Sequence, residues 1–361
     1  MTDQTDKPIT PRTVLITTGL RPVPMAFADF PGTPAGVIVW DSVSAFPGRF
    51  SEHIRRVRCL LSGKRYASLK HLCEQHNLHY LECDKRDPAA LQNTLKKWDA
   101  ELVVTSGCAI VPMQALSELR FGGINLHPSK LPDWRGANPL FWQLASEQNE
   151  MGVTVHVLSD KIDGGKILAQ TTIERPDGLS RQQLTELLEG EIGVSLLKDC
   201  IQSMAAGTQK PLVQIASNTP YARRVADKEL SEALPLGTLK ANTLWNLLRF
   251  YGYAPKDWLG ITAWRRKLQW AAYKLTPSDA QTQIAAATKQ SGISQSDTNP
   301  SVGQEDWQID AKGLKIILTH PSGNITMIPK RLIPMIQLIS KITKSRGNRK
   351  SGGPSVVSAG R

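Results

Sequence analysis

Three polar residues in the 361-residue chain have the types and spacing of a proton-transfer site. Asn125 and His127 are two positions apart, so both side chains project from the same face of an extended strand. An amide donor beside an imidazole suits reactions that polarise a carbonyl and move a proton. Asp163 precedes two glycines, and its carboxylate suits accepting a proton or holding an imidazolium. Singly, each residue also fits a structural role, because Asp before Gly is a common turn residue.

The elements that must position these residues alternate between strands and helices over the first 200 residues. Short runs rich in β-branched residues predict strands at 13–18, 37–40, 79–82, 102–105, 123–126, 153–158 and 167–173. Helical patterns occupy 66–75, 88–98, 139–146 and 180–206, the last with Ser180 as N-cap and Gly207 as stop. The alternation predicts an α/β fold with an open, mainly parallel, Rossmann-like sheet. Asn125 and His127 then lie at the carboxyl end of a strand, where such sheets bind ligands.

The pattern changes after residue 207, and the length of the chain suits about two domains. We expect a catalytic domain at 1–207, a linker at 208–225 and a smaller basic domain at 226–340. Within the second domain, 314–319 and 326–328 predict a hairpin. Residues 276–304 are rich in Ser, Thr and Gln and are expected to form a flexible insertion, and 341–361 a disordered basic tail.

The formal charge of +12 is unevenly distributed along the chain. Residues 1–200 hold 22 Lys and Arg against 23 Asp and Glu, whereas residues 201–361 hold 22 against 9. This asymmetry indicates that the C-terminal part meets an anionic partner. A solvated tail is the plainer explanation, but its six basic residues account for less than half of the excess.

Other compositional features narrow the class of protein. The five cysteines form no CxxC pair and no zinc-finger spacing with histidine, so reduced thiols are expected and a metal site is not. No apolar run approaches the ~20 residues that span a bilayer, which argues against a membrane partner. The first 12 residues are polar, with neither a secretory nor a transit pattern, so the cytoplasm is the expected location.

Two segments together resemble the formyltransferase family that uses 10-formyltetrahydrofolate. The family's Asn-x-His and following Ser-Leu-Leu-Pro appear as Asn125-Leu126-His127 and Ser129-Lys130-Leu131-Pro132. Its Gly-Val-Thr strand and Asp-x-Gly element appear as Gly152–Thr154 and Asp163–Gly165. The likeness covers about residues 100–205, and Lys130 replaces the usual leucine.

The resemblance implies transfer of formyl from N10 of the folate to an amine, without a metal. Asn125 is then expected to stabilise the oxyanion, His127 to move a proton and Asp163 to support His127. The folate co-substrate is expected to lie against two loops and the segment after His127. Its predicted contacts are Ser106, Gly107, Cys108, Ala109, Ile110, Val111, Pro112, Ser129, Leu131, Pro132, Leu158, Ser159, Asp160 and Ile162.

Basic residues favour an RNA-borne acceptor. The family's methionyl-tRNA member carries a basic C-terminal β-barrel domain and a basic loop, so the resemblance implies a β-barrel-like domain here. Cations lie between Trp264 and Trp270, a mixture typical of nucleic-acid surfaces, and others precede an early helix. The residues expected to bind the acceptor are Arg55, Arg56, Arg58, Arg135, Arg265, Arg266 and Lys267. Solvated faces would explain these runs equally well.

Other hypotheses about the formyl acceptor remain open. The opening Leu15–Arg21 lacks the Gly-Thr-Pro of the methionyl-tRNA member, and Ala137-Asn138-Pro139 replaces its Ala-Ala-Pro. An amino-sugar nucleotide or another small phosphorylated amine is therefore an alternative. Hydrolysis of formyltetrahydrofolate would use the same trio, but members with that activity usually carry an N-terminal regulatory domain, for which we expect no room. A catalytically silent RNA-binding protein is the last alternative, and the intact trio argues against it. The oligomeric state is left open.

Overall fold

The computed structural model describes residues 10–41, 49–226, 229–254, 270–276, 308–312 and 315–334. The chain divides into two compact units, of which unit 1 is Met1–Pro176 with Gln182–Arg224 and unit 2 is Asp177–Arg181 with Val225–Arg361. The predictions for Arg265, Arg266 and Lys267, for the tail 341–361 and for nearly all of 276–304 lie outside the described residues.

Unit 1 is built on a seven-stranded sheet. Its strands are β1 (Arg12–Thr17), β2 (Thr33–Asp41), β3 (His79–Asp84), β4 (Leu102–Ser106), β5 (Gly123–His127), β6 (Glu150–Val157) and β7 (Ile167–Glu174). The order is β3-β2-β1-β4-β5-β6-β7, and the first five strands are parallel. β6 is antiparallel to both β5 and β7. The predicted open, mainly parallel, Rossmann-like sheet is therefore confirmed.

The helices of unit 1 connect these strands. They are α1 (Pro22–Ala26), α2 (Arg49–Ser62), α3 (Leu69–Gln75), α4 (Pro88–Lys97), α5 (Pro139–Ala145), α6 (Arg181–Thr185) and α7 (Gly193–Ala205), with a π-helical segment at Glu186–Ile192. α4 shows how local sequence sets them. Asp87 caps its first turn by accepting from Ala90 N at 2.9 Å, and Pro88 occupies the first turn, where a missing N–H costs nothing. Leu91 and Leu95 are fully buried on its inner face.

Three segments of unit 1 differ from expectation. The basic stretch before α3 forms the helix α2, which was not predicted, and several of its apolar side chains are exposed. The predicted helix 180–206 contains the π-helical segment Glu186–Ile192, and it is followed by Gly193, where a Cβ would lie 2.6 Å from Leu126 on β5. Residues 208–224 belong to unit 1 and pair with β7 through Leu212 and Ile167, so they do not form a free linker.

Unit 2, for which a β-barrel-like domain was predicted, contains a small antiparallel sheet. Its strands are β8 (Trp270–Thr276), β9 (Gln308–Lys312), β10 (Lys315–His320) and β11 (Gly323–Pro329), in the order β8-β11-β10-β9. β10 and β11 form the predicted hairpin, paired antiparallel from Ile316 opposite Met327 to His320 opposite Gly323. Two helices accompany the sheet, α8 (Leu230–Ala233) and α9 (Ala241–Tyr251).

The topology of unit 1 places the candidate site. The strand order reverses between β1 and β4, and ligands bind in the crevice outside the carboxyl ends of strands at such a point. Ser106 ends β4 and His127 ends β5, so both lie at this edge of the sheet. Among the described helices, none is both long and apolar enough to cross a membrane.

Candidate active site

A row of three polar side chains crosses the sheet at its carboxyl edge. Thr105 on β4 lies opposite Asn125 on β5, which lies opposite His156 on β6. Thr105 Oγ1 donates to Asn125 Oδ1 at 2.7 Å, and Asn125 Nδ2 lies 3.0 Å from His156 Nε2. Directly opposed residues share a face of the sheet, so strand register alone brings these side chains together.

The row fixes the orientation of the Asn125 amide. His156 Nδ1 lies 2.9 Å from the Val157 carbonyl oxygen, which only accepts, so Nδ1 carries the proton of the neutral ring. Nε2 is then an acceptor for Asn125 Nδ2–H, while the hydroxyl of Thr105 occupies the amide oxygen. One hydrogen of Nδ2 remains for a ligand. Asn125 is therefore a preset hydrogen-bond donor.

His127 is buried at the end of β5 and is held in one tautomer. Its Nε2 donates to the carbonyl oxygen of Trp134 at 3.0 Å, which leaves Nδ1 as the basic nitrogen. Nδ1 lies 3.6 Å from Asp163 Oδ2. Trp134, whose carbonyl oxygen holds the ring, has φ of 59°, a left-handed conformation that is uncommon for a bulky residue.

Asp163 lies between the two histidines. Its Oδ2 accepts from Gly136 N at 2.8 Å, and its Oδ1 lies 3.5 Å from His156 Nε2. The side chain is 13% exposed and the residue has φ of 49°. The structure therefore brings together all three residues that the sequence singled out.

The environment sets the protonation states of this pair. Burial of the imidazole lowers the pKa of His127 below its ordinary value, although the negative charge of Asp163 opposes the shift. Burial alone would raise the pKa of Asp163, but the hydrogen bond and positive charge that the neighbouring histidines supply when protonated, together with the Gly136 N–H, outweigh it, and the pKa lies below its usual range. At neutral pH the pair is an ionised carboxylate beside a neutral imidazole, which is the state of a general base.

The segment after His127 is folded on itself. Ser129 Oγ donates to the carbonyl of Asp133 at 2.7 Å, and Leu131 N donates to Thr154 Oγ1 at 3.2 Å. Leu131 is buried and the bond to Pro132 is cis. These three predicted folate contacts shape the loop that carries Trp134 and Gly136.

The two predicted folate loops border one hydrophobic core cluster. Cys108, Ala109 and Leu158 pack against it, whereas Ile110 and Ile162 expose 72% and 44% of their surface. Trp40 Nε1 donates to the Ile110 carbonyl at 3.0 Å and fixes that loop. The remaining predicted contacts differ in exposure: Ser106 and Val111 are buried, Pro112 is half-buried, and Gly107, Ser159 and Asp160 are exposed. Ser159 donates a hydrogen bond to the Lys161 carbonyl. Each loop therefore presents an exposed apolar side chain.

The predicted acceptor-binding arginines are engaged to different degrees. Arg55 and Arg58 are exposed on α2, whereas Arg56 contacts both Glu52 and Glu74. Arg135 lies beside Gly136 and donates through Nε and Nη2 to Gln214 Oε1, at 3.1 and 2.6 Å. Its guanidinium thus has an internal partner that the sequence did not indicate.

Sequence reasoning missed several members of the site. Thr105 and His156 carry a recoverable signal, because each lies in a predicted strand beside β5. The Trp134 carbonyl, the Gly136 N–H and Gln214 act through loop backbone and through a segment interpreted as a linker, so periodicity gives no signal for them. Among the described residues, no group of three or more His, Cys, Asp or Glu side chains is arranged to hold a metal ion.

Comparison with known proteins agrees with this geometry. The family model described as formyl transferase matches residues 60–191, which include Asn125, His127 and Asp163. The chain carries a formyl transferase domain. Curated methionyl-tRNA formyltransferases are similar to it: that of Bdellovibrio bacteriovorus is 29% identical over 55% of this chain and 62% of its own length. That of Stutzerimonas stutzeri is 33% identical over 45% of this chain and 51% of its own.

The match to these relatives is partial in length. The chain spans between half and two thirds of those two proteins. A solved sugar 3N-formyl transferase, crystallised in the presence of dTDP and 5-N-formyl-THF, is 13% identical with a TM-score of 0.53. It covers 89% of this chain and 97% of its own, which supports the fold around the formyl transferase domain.

Proposed function

We propose that the protein transfers a formyl group from 10-formyltetrahydrofolate to the amino group of methionyl-tRNA. One observation carries the chemical part of this proposal. The preset Asn125 donor, the basic Nδ1 of His127 and the ionised Asp163 converge at the carboxyl edge of the sheet. The family match over the same residues supplies the reaction class.

The reaction assigns a role to each group. The acceptor amine attacks the formyl carbon, a C–N bond forms and the carbonyl electron pair moves onto oxygen. The free N–H of Asn125 donates to this oxyanion, which is the contact that gains most strength in the transition state. His127 Nδ1 accepts the proton released by the amine, and Asp163 stabilises the resulting imidazolium. The C–N10 bond then breaks, and N10 takes up a proton as tetrahydrofolate leaves.

The folate is proposed to lie against the two loops 106–112 and 158–162. Ile110 and Ile162 are exposed apolar side chains in otherwise fixed loops, which suits the faces of a flat ring. Backbone groups of the same loops supply polar contacts for the ring edge. The residues Ser129, Leu131 and Pro132 contribute by shaping the neighbouring loop.

Methionyl-tRNA is proposed as the acceptor on two grounds. The chain is similar to several curated methionyl-tRNA formyltransferases. The excess positive charge beyond residue 200 and the exposed Arg55 and Arg58 also suit a polyanion, since phosphate contacts dominate the affinity for nucleic acids. The small-molecule alternatives share the catalytic trio, so the trio does not choose between acceptors.

An acceptor screen tests this assignment. The full-length protein would be incubated with 10-formyltetrahydrofolate labelled in the formyl group and with charged initiator tRNA, an amino-sugar nucleotide or glycinamide ribonucleotide. We expect label on methionyl-tRNA at a kcat/KM at least tenfold above that for either small amine. Transfer only to a small amine would overturn the tRNA assignment and keep the chemistry. Release of labelled formate without transfer would indicate hydrolysis instead.

A further inference from the structure

Gln214 joins the two loops that orient Asp163. Its Nε2 donates to the Asp163 carbonyl at 2.9 Å and to the Gly165 carbonyl at 2.6 Å. Its Oε1 accepts from Arg135 Nε at 3.1 Å and Nη2 at 2.6 Å. A glutamine amide has two donor hydrogens and two lone pairs, so these four contacts use its whole capacity.

The contacts join segments that are far apart in sequence. One side of the amide holds the turn 163–165, which carries the catalytic carboxylate. The other side holds Arg135, the residue before Gly136, whose N–H donates to Asp163 Oδ2 at 2.8 Å. A shift of either segment would lengthen this bond and turn the carboxylate relative to His127.

Other contacts of the same segment keep Gln214 in place. Leu212 and Ile167 exchange two backbone hydrogen bonds, each 2.8 Å long. Thr219 Oγ1 accepts from Trp134 N at 2.8 Å, and Ala222 N donates to the Arg135 carbonyl at 2.7 Å. Gln214 thus sits between two anchors, one on the strand after the turn and one on the loop after His127.

We propose that Gln214 is a positioning residue for formyl transfer, which holds the Asp163 turn and the Arg135–Gly136 loop at the separation that aims the carboxylate at His127. This inference rests on the proposed function for its kinetic consequences. The geometric claim stands on the hydrogen bonds alone. Asp163 has φ of 49°, a left-handed conformation that persists where the surrounding structure holds it, and the two carbonyl contacts from Gln214 hold this turn.

Two substitutions of Gln214 distinguish its contact with Arg135 from its contacts with the carbonyls of Asp163 and Gly165. Gln214→Glu keeps an acceptor for Arg135 but replaces the donor group, so an oxygen faces the carbonyls of Asp163 and Gly165. Gln214→Met keeps the length and loses both sides without adding charge. Gln209→Glu is the matched control, because Gln209 lies in the same segment and donates only one such bond, to the Leu168 carbonyl at 2.6 Å, away from the turn.

Steady-state kinetics with the acceptor found in the screen give the first readout. We expect both Gln214 variants to lose about tenfold to hundredfold in kcat, the size of effect that small displacements of a catalytic group produce. The KM for 10-formyltetrahydrofolate should change by less than about twofold, as should every constant of Gln209→Glu. Full activity in Gln214→Glu would overturn the proposal, since only the Arg135 side would then matter. An equal loss in Gln209→Glu, or a change confined to KM, would overturn it as well.

Titration of His127 by 15N NMR gives a readout that does not need turnover. Asp163 raises the pKa of His127 against the effect of burial, so Gln214→Met should lower the titration midpoint of this ring. The groups around the Asp163 carboxylate are His127, His156 and, at longer range, Tyr221 and Cys108; none of them is changed in the variant. If wild type transferred no formyl, the proposed function would fail, and this titration would still decide the positioning role. An unchanged midpoint would overturn it.

Discussion

At the scale of residues, the site depends on which hydrogen-bond donor each side chain presents. The Asn125 amide has two orientations that differ by exchange of its nitrogen and oxygen. His156 Nε2 is an acceptor and therefore selects the orientation in which Nδ2 faces it, and Thr105 Oγ1 then donates to Oδ1 at 2.7 Å. The asparagine alone does not ensure an oxyanion donor, and its neighbours on β4 and β6 complete it.

Thr105→Val tests this dependence. The substitution keeps the shape of the side chain but removes the hydroxyl, so Oδ1 of the amide loses its hydrogen-bond donor. We expect kcat to fall about tenfold, less than the roughly 10²–10³-fold that loss of the oxyanion donor itself costs, because the Asn125 amide remains, with the KM for folate nearly unchanged. Thr13→Val is the control, since Thr13 is equally buried on β1 and its hydroxyl bonds the Pro11 carbonyl, away from the site. Equal losses in both variants would contradict the role of Thr105.

The pH dependence of the reaction follows from the pKa of His127. Burial lowers this pKa, so the ring stays neutral and basic below the ordinary histidine value of ~6.5. Activity should therefore hold as pH falls through 6.5 and decline only at lower pH.

Asp163→Asn removes the charge that favours the imidazolium, so the acid limb of the pH profile should move to still lower pH while the maximal rate drops.

The control for this profile is Asp199→Asn on the exposed face of α7, which should leave the limb in place. Profiles of kcat/KM against pH would be recorded for the three proteins. An acid limb at or above the ordinary histidine pKa in wild type would contradict the assignment of His127 as a buried neutral base.

At the scale of elements, close approach of backbones decides where the catalytic turn can lie. A Cβ at Gly165 would lie 1.8 Å from the carbonyl oxygen of Val157, whereas Gly19 has no atom within 4 Å of the corresponding position. The backbone of the turn that carries Asp163 thus packs directly against the backbone at the end of β6. Only glycine fits at Gly165, because the obstructing atom belongs to the backbone of a strand.

Gly165→Ala should therefore destabilise the fold and displace Asp163. We expect a loss of about 1–3 kcal/mol or more in the free energy of unfolding, the range for overpacking, and a lower kcat. Gly19→Ala is the matched substitution and should change the free energy by less than about 0.5 kcal/mol. Urea denaturation followed by tryptophan fluorescence measures both. A Gly165→Ala protein as stable as wild type would contradict the packing described for the turn.

The elements also show what the sequence could and could not predict. The strand predictions fall within a few residues of β1 to β7, because β-branched runs between turn residues mark strands. α2 was missed because its cations were interpreted as a basic loop, although Ile54, Val57 and Leu61 recur at helical spacing. Leu60 and Leu61 are each 84% exposed. The role of 208–224 was missed because single side chains and backbone bonds hold it, and these leave no periodic pattern.

The candidate site, like the fold, was predictable where local sequence patterns mark it and not where single tertiary contacts build it. Asn125, His127 and Asp163 belong to motifs that keep their spacing, so the sequence located them. His156 and Gln214 reach the site through strand register and loop contacts, across 31 positions from Asn125 and 79 positions from Arg135. The Trp134 carbonyl reaches His127 across 7 positions through the fold of the loop. Such contacts are properties of the tertiary structure. The residues proposed to do chemistry were thus easier to find than those that hold them in place.

At the scale of the whole molecule, charge is divided between the two parts of the chain. The first 200 residues are close to neutral, and the positive excess lies beyond them. A neutral catalytic part followed by a basic part suits a reaction in which one part performs the chemistry and the other holds a large anionic acceptor. The basic residues of the second part are therefore expected to affect affinity for tRNA and not the formyl-transfer step.

The salt dependence of tRNA binding tests this division. Each neutralised phosphate should add roughly −0.7 to −0.9 to the slope of log K against log salt, so several contacts give a steep slope. Replacing Arg265, Arg266 and Lys267 together by glutamine should make the slope shallower and raise the KM for tRNA. Replacing three lysines of α4 and the chain just before it, Lys85, Lys96 and Lys97, is the control. A flat salt response of the wild-type protein would contradict binding of tRNA.

The central claim is that Asn125, His127 and Asp163 carry out formyl transfer, and one assay tests it most directly. Labelled formyl is followed from 10-formyltetrahydrofolate to the acceptor amine with wild type, His127→Ala and His71→Ala, the last being a histidine on the α3 surface of unit 1. Removal of a general base lowers the rate by about 10²–10⁴-fold, so transfer should fall by that factor in His127→Ala and remain in His71→Ala. Transfer by His127→Ala at the wild-type rate would contradict the account.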